Sequence, residues 1–256
     1  MLRNVIAIVS GGASGLGAAT ASYIVRSGGR VLVADLPSSK DHYLRLASVC
    51  CAKALHHHHH HNHHRHNHNH DANSTTIINE ERNKDDEPII AFAETDVTNE
   101  EDITKALDLA HDTFGQPINV AISCAGIGIA RKTISMKKSE DDSSSSSSSS
   151  LTSISTSTSS SLKIHSLEEF NQALQVNTLG TFNLARLSAE RIAQREPDGE
   201  GLRGCIINTA SIAAFEGQTG QVAYAASKGA VVGKFPFSFF LFVVVIIKLN
   251  LISYIL

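Results

Sequence analysis

The sequence has no tryptophan, only four cysteines, and no charge of either sign in large excess. Cys50, Cys51, Cys124 and Cys205 show neither the paired spacing of a metal site nor the density of a secreted disulfide scaffold. That fits a reducing compartment. A formal net charge of −3 gives no global basic field to hold nucleic acid. No collagen-like, heptad or tandem-repeat period runs through the chain. Met1-Leu2-Arg3 leads straight into the apolar run Val5–Val9, and turn residues follow at once. A secretory leader is therefore not expected. The apolar, uncharged run Phe235–Ile247 is 13 residues long, short of the ~20 that span a bilayer.

Two stretches of biased composition stand out. Residues 56–70 hold eleven histidines, and 14 of the 19 residues from 143 to 161 are serine. Neither can bury enough apolar surface to offset the entropy of ordering, so both are expected as surface insertions, about 56–87 and 137–165. The histidines invite Zn²⁺, Cu²⁺ or Ni²⁺, but their spacing defines no fixed tetrahedral set, so no metal site is assigned. Without the two tracts roughly 220 residues remain, enough for one domain with a sizeable core.

In those residues strand-like and helix-like segments alternate. Strands are expected near 4–10, 31–34, 89–93, 119–124 and 205–208. Helices are expected near 15–27, 39–54, 98–114 with Thr98 as N-cap, 167–193, and from about 221. The alternation implies an α/β, Rossmann-like doubly wound parallel sheet with strand order 3-2-1-4-5 and right-handed crossovers.

The first turn reads Ser10-Gly11-Gly12-Ala13-Ser14-Gly15-Leu16-Gly17. Glycines between a strand and a helix N-terminus let a pyrophosphate approach the backbone, where free N–H groups and the helix dipole favour it. Asp35 closes the second strand, 20 residues after Gly15. A carboxylate there accepts from both ribose hydroxyls and repels a 2′-phosphate, which points to NAD over NADP; an Asp capping its own turn is the plainer alternative.

Tyr224 and Lys228 share one helical face at i, i+4. A nearby ammonium favours the phenolate, which suits Tyr224 to acid–base work near neutrality. Ser211 follows the fifth strand, where ligand crevices of such folds lie. Asn177 sits inside the long helix, open either to a polar role or to a reading as a satisfied buried amide. The fixed order of phosphate turn, acidic ribose position, Ser, Tyr and Lys carries more weight than any one of them.

These residues resemble the short-chain dehydrogenase/reductase family. Its glycine motif appears as 10–17, its Asn-Asn-Ala-Gly strand end as Ser123-Cys124-Ala125-Gly126, and its catalytic tetrad as Asn177, Ser211, Tyr224 and Lys228. The stretches DVTNEED, LQVNTLGTFNLARL and IINTASIAAFEGQTGQVAYAASKGAVVG resemble a mitochondrial subgroup acting on 3-hydroxyacyl-CoA and hydroxysteroids.

The resemblance implies an NAD-dependent oxidoreductase with an acyl-CoA or steroid substrate, a homotetramer, and a place in mitochondria. Cytoplasmic or membrane-associated placement is the alternative. It further implies that Gly11, Ser14, Gly15, Leu16 and Gly17 line the phosphates and ribose. Asp35 takes the adenine ribose, Asp96 and Val97 bracket the adenine, and Cys124 lies near the second ribose. Tyr224 removes the substrate proton, Lys228 holds the nicotinamide ribose, Ser211 orients the substrate oxygen with Tyr224, and Asn177 supports a water-linked proton relay.

The resemblance covers 1–234 and stops after Gly233. The fifth strand is therefore expected to be an open edge, and tetramer contacts and full activity to suffer. A catalytically weak or dead NAD-binding scaffold is the alternative function. For the tail 235–256 three readings stay open: a translated intron or alternative end, a membrane contact, or a substitute strand against the fifth.

Overall fold

The computed structural model describes residues 2–58, 89–136, 162–234 and 242–248. The serine tract, the His/Asn tract beyond His58 and the metal question it raised lie outside them, as do 249–256.

Strands β1 (Ile6–Ser10), β2 (Arg30–Asp35), β3 (Ile90–Glu94), β4 (Val120–Ser123), β7 (Cys205–Ser211) and β8 (Phe242–Lys248) form one sheet in the order β3-β2-β1-β4-β7-β8. Every pairing in it is parallel. A short antiparallel hairpin, β5 (Ile134–Met136) with β6 (Leu162–Ile164), stands apart. The helices are α1 (Gly15–Arg26), α2 (Lys40–His58), α3 (Glu100–Phe114), α4 (Leu167–Leu174), α5 (Thr181–Ala193) and α6 (Val222–Lys234).

Parallel strands are covered on both faces, so they are apolar throughout rather than alternating. Ile6 and Ile8 on β1 face one core with Leu32, Ala121, Ile206, Phe114 of α3 and Leu184 of α5. Ala7 and Val9, pointing the other way, join Val31, Val33, Ile122, Ile24 of α1 and Tyr43 of α2. Each fully buried Ile, Leu or Val contributes about 1.5–3 kcal/mol, which makes these two layers the main source of stability.

The order of the first five strands is the expected one, and it places the change of winding direction between β1 and β4. Four particulars differ from expectation. First, the open edge is filled: β8 pairs with β7 along its whole length, Cys205↔Phe242 through Ser211↔Lys248. Part of the tail is thus a strand, because a run rich in Val and Ile meets the row of unpaired N–H and C=O groups that an edge presents.

Second, Thr98 is not the N-cap of α3. Asp96 Oδ1 accepts from both the amide (2.9 Å) and the hydroxyl (2.8 Å) of Thr98. The helix starts one residue later, where Asn99 Oδ1 accepts from the Glu101 amide at 2.9 Å. Third, β6 lies within the span expected as insertion, and α2 runs on to His58. Fourth, the helix expected over 167–193 contains a π-helical segment, Gln175–Gly180, between α4 and α5. Such segments often mark functional positions, and this one carries Asn177.

Candidate active site

A cleft of about 930 Å³ opens over the carboxyl ends of β1, β2, β4 and β7. This is the crevice that open α/β sheets use for ligands. One end is lined by Gly11, Ser14, Gly15, Leu16, Gly17 and Asp35, the middle by Asp96, Val97 and residues 124–130, the other end by Thr209, Gln221, Tyr224 and Lys228.

The glycine turn leaves no room for a side chain at Gly11 or Gly17. Gly11 has φ +63°, and a Cβ there would lie 2.7 Å from the Ala125 amide nitrogen. A Cβ on Gly17 would fall on the Gly11 carbonyl. A Cβ on Gly15, φ +51°, would meet nothing within 4 Å, so that position faces open space. Ser14 stands at the N-cap of α1 without making a side-chain capping bond. Its hydroxyl and the first amides of α1 face the cleft as an anion cradle.

Asp35 joins this turn to β2. Its Oδ2 accepts from the Ala13 amide at 2.9 Å and its Oδ1 from the Leu36 amide at 2.8 Å. Each carboxylate oxygen has further lone pairs for a ligand hydroxyl. The turn role considered for Asp35 and a place on the cleft wall therefore coexist.

Tyr224 and Lys228 line the same cleft, with Nζ 6.0 Å from the phenol ring centroid. Lys228 is only 5% exposed; its ammonium donates to the Thr209 carbonyl at 2.7 Å, and a Cβ added to Gly126 would lie 3.7 Å from Nζ. Cys124 Sγ lies 3.6 Å from Thr209 Oγ1.

Asn177 is fully buried. Its Oδ1 accepts from the Ile127 amide at 2.8 Å, and its Nδ2 donates to the Ile127 carbonyl and the Ser227 hydroxyl, both at 2.9 Å. Its backbone carbonyl accepts from the Thr181 hydroxyl at 2.8 Å. Ser211 is also fully buried; its Oγ accepts from the Ala213 amide at 3.2 Å and does not line the cleft. Glycine turn, Asp35, Asp96, Val97, Cys124, Tyr224 and Lys228 thus share one cavity, whereas Asn177 and Ser211 sit behind its wall.

Two contributors, Thr209 and Gln221, were not singled out from the sequence, and a third, Gly126, was named only within a motif. Thr209 anchors Lys228 through a backbone carbonyl, which no residue type announces. Gly126 matters through the space it leaves. Gln221 lines the cleft one turn before Tyr224, where the i, i+3 spacing offered a signal.

Cleft and fold together define a Rossmann-like doubly wound α/β protein with a glycine turn at its ligand crevice. The chain belongs to the short chain dehydrogenase family, whose sequence profile matches residues 50–235, the part that carries Asn177, Ser211, Tyr224 and Lys228. It is 38% identical over 234 residues to 3-hydroxyacyl-CoA dehydrogenase type-2 of Bos taurus, covering 91% of this chain and 65% of that protein. Against the Drosophila melanogaster protein of the same name it is 36% identical over 233 residues, with 91% and 67% covered.

The crystal structure of 3-hydroxyacyl-CoA dehydrogenase type-2 from Mycobacterium avium aligns with a TM-score of 0.58 and 28% identity, covering 90% of this chain and 65% of that one. A short chain dehydrogenase from Bacillus anthracis, 17% identical with a TM-score of 0.57, shares the fold. The chain therefore spans about two thirds of the length of these relatives.

Proposed function

We propose that the chain is an NAD-dependent oxidoreductase that interconverts a secondary alcohol and its ketone, with 3-hydroxyacyl-CoA or a hydroxysteroid as substrate class. One observation carries the reading: Tyr224 and Lys228 open into the same cleft as the glycine turn and Asp35.

The residues present suit the cofactor. The glycine turn and the α1 N-terminus would hold its diphosphate, Asp35 the adenine ribose, Asp96 and Val97 the adenine edge, and Cys124 the second ribose. A bound nicotinamide supplies the hydride acceptor. Tyr224 takes the hydroxyl proton of the alcohol as the hydride leaves the same carbon, and returns it in the reverse direction. The Lys228 ammonium, anchored on the Thr209 carbonyl, would donate to the ribose. By the resemblance Ser211 would orient the substrate oxygen; its Oγ accepts from the Ala213 amide, a bond that leaves the hydroxyl proton to donate. Asn177 supports the proton path from behind the wall. We also propose a mitochondrial location, which subcellular fractionation tests.

The test is direct. The purified chain should bind NADH at micromolar protein, at least tenfold more tightly than NADPH, and reduce NAD with 3-hydroxybutyryl-CoA. Tyr224→Phe should lower kcat at least 10³-fold with NADH affinity within twofold. Absence of NADH binding, or equal turnover in wild type and Tyr224→Phe, would overturn the reading.

A further inference from the structure

Ser227 lies between Tyr224 and Lys228 in sequence, yet it is fully buried and does not line the cleft. Its hydroxyl has one proton to donate, which goes to the Tyr224 carbonyl at 2.7 Å. The same oxygen accepts from Asn177 Nδ2 at 2.9 Å. The Ser227 carbonyl accepts from the Thr178 hydroxyl at 3.0 Å, so two neighbouring residues of the π-helical segment grip this one serine. Asn177 in turn holds both the amide and the carbonyl of Ile127, in the loop after β4 that lines the middle of the cleft.

A continuous path therefore runs from the Ile127 backbone through the Asn177 amide and the Ser227 hydroxyl to the Tyr224 carbonyl. Each link is a hydrogen bond of 2.7–2.9 Å, and Asn177 and Ser227 are both shielded from water. In a low-dielectric interior such chains polarise and stiffen one another.

We propose that Ser227 is a positioning residue: through Asn177 it sets the distance between the helical turn bearing Tyr224 and Lys228 and the cleft loop at Ile127. The proposal rests on the reading of Tyr224 as the proton acceptor. It also gives the π-helical segment a purpose, since Asn177 and Thr178 can reach the same serine from one widened turn. Catalytic geometry tolerates little displacement, and a shift of about 1 Å costs roughly 100-fold in rate.

A purely structural role makes a different prediction. Removing the hydroxyl takes the acceptor from one buried Asn177 N–H, while the other Nδ2 proton keeps the Ile127 carbonyl and the Tyr224 carbonyl keeps the intrahelical amide four residues on. Ser227→Ala should still fold, with a melting temperature lowered by no more than about ten degrees.

The test uses the full chain with NAD and 3-hydroxybutyryl-CoA. Ser227→Ala should lower kcat about ten- to 100-fold while KM for NAD stays within twofold. Ser227→Thr, which keeps a hydroxyl able to bond the preceding turn, should recover most of the loss. The Asn177→Ala, Ser227→Ala double variant should be no slower than the slower single, because the two act in series. Without any ligand, amide exchange at Ile127 should quicken at least tenfold in Ser227→Ala. A Ser227→Ala kcat within twofold of wild type, losses that multiply in the double variant, or unchanged Ile127 exchange would each overturn the proposal. If wild type turns over no alcohol, the proposed activity fails by itself, and Ile127 exchange alone decides whether the path exists.

Discussion

Asp35 is tied to two backbone amides, Ala13 and Leu36, on opposite sides of its carboxylate. Asp35→Ala should therefore do two things. It should destabilise the fold by about 2 kcal/mol, the scale of two lost hydrogen bonds, seen in thermal melts. On the proposed function it should also erase the expected preference for NADH over NADPH, read by titrating the fluorescence of each. Cys205, at the start of β7, behaves oppositely to a reactive thiol. Burial pushes its pKa up, because the thiolate is the form that suffers from lost solvation. At pH 8 the folded chain should alkylate Cys205 more slowly with iodoacetamide than the urea-unfolded chain does, a difference read by peptide mass spectrometry. The disparity should persist as the pH rises past the free-thiol value, since the native thiol ionises later. Asp35 was legible in the sequence from its position: a strand end, a fixed count from Gly15, a Pro soon after. Thr209 and Ser227 were not, because one acts through a backbone carbonyl that no residue type marks and the other through a buried hydroxyl paired with Asn177, 50 residues away.

Among the elements, the first βαβ unit was readable from alternating apolar runs and glycines, and so was the order of five strands. The π-helical segment was not, since nothing in the pattern around Asn177 distinguishes a widened turn from an ordinary one. Nor was the hairpin, whose second strand adjoins the serine tract and buries little: Ile134, Met136, Leu162 and Ile164 are all exposed. Strand β8 was one of three open readings of the tail, because an apolar run alone does not reveal its neighbour. Its pairing makes a clear prediction. A chain ending at Lys234 should lose the partner of β7 and expose seven residues of unpaired backbone. That chain should scatter light at concentrations where the full chain stays clear, and β7 amides should lose exchange protection. No helix among the described residues is long and apolar enough to cross a membrane.

At the scale of the whole molecule, helices cover both faces of β1, β2 and β4, and the cleft opens over the carboxyl ends of these strands. Hydrogen bonds knit the cleft walls to one another: Gly11 to Ala34, Ala13 to Asp35, Ile127 to Asn177, Lys228 to Thr209. On the proposed function, a dinucleotide arriving there would meet, among the described residues, walls already joined to one another. Stopped-flow mixing with NADH should show a single phase whose rate climbs in proportion to nucleotide concentration, with no plateau of the kind a slow isomerisation imposes.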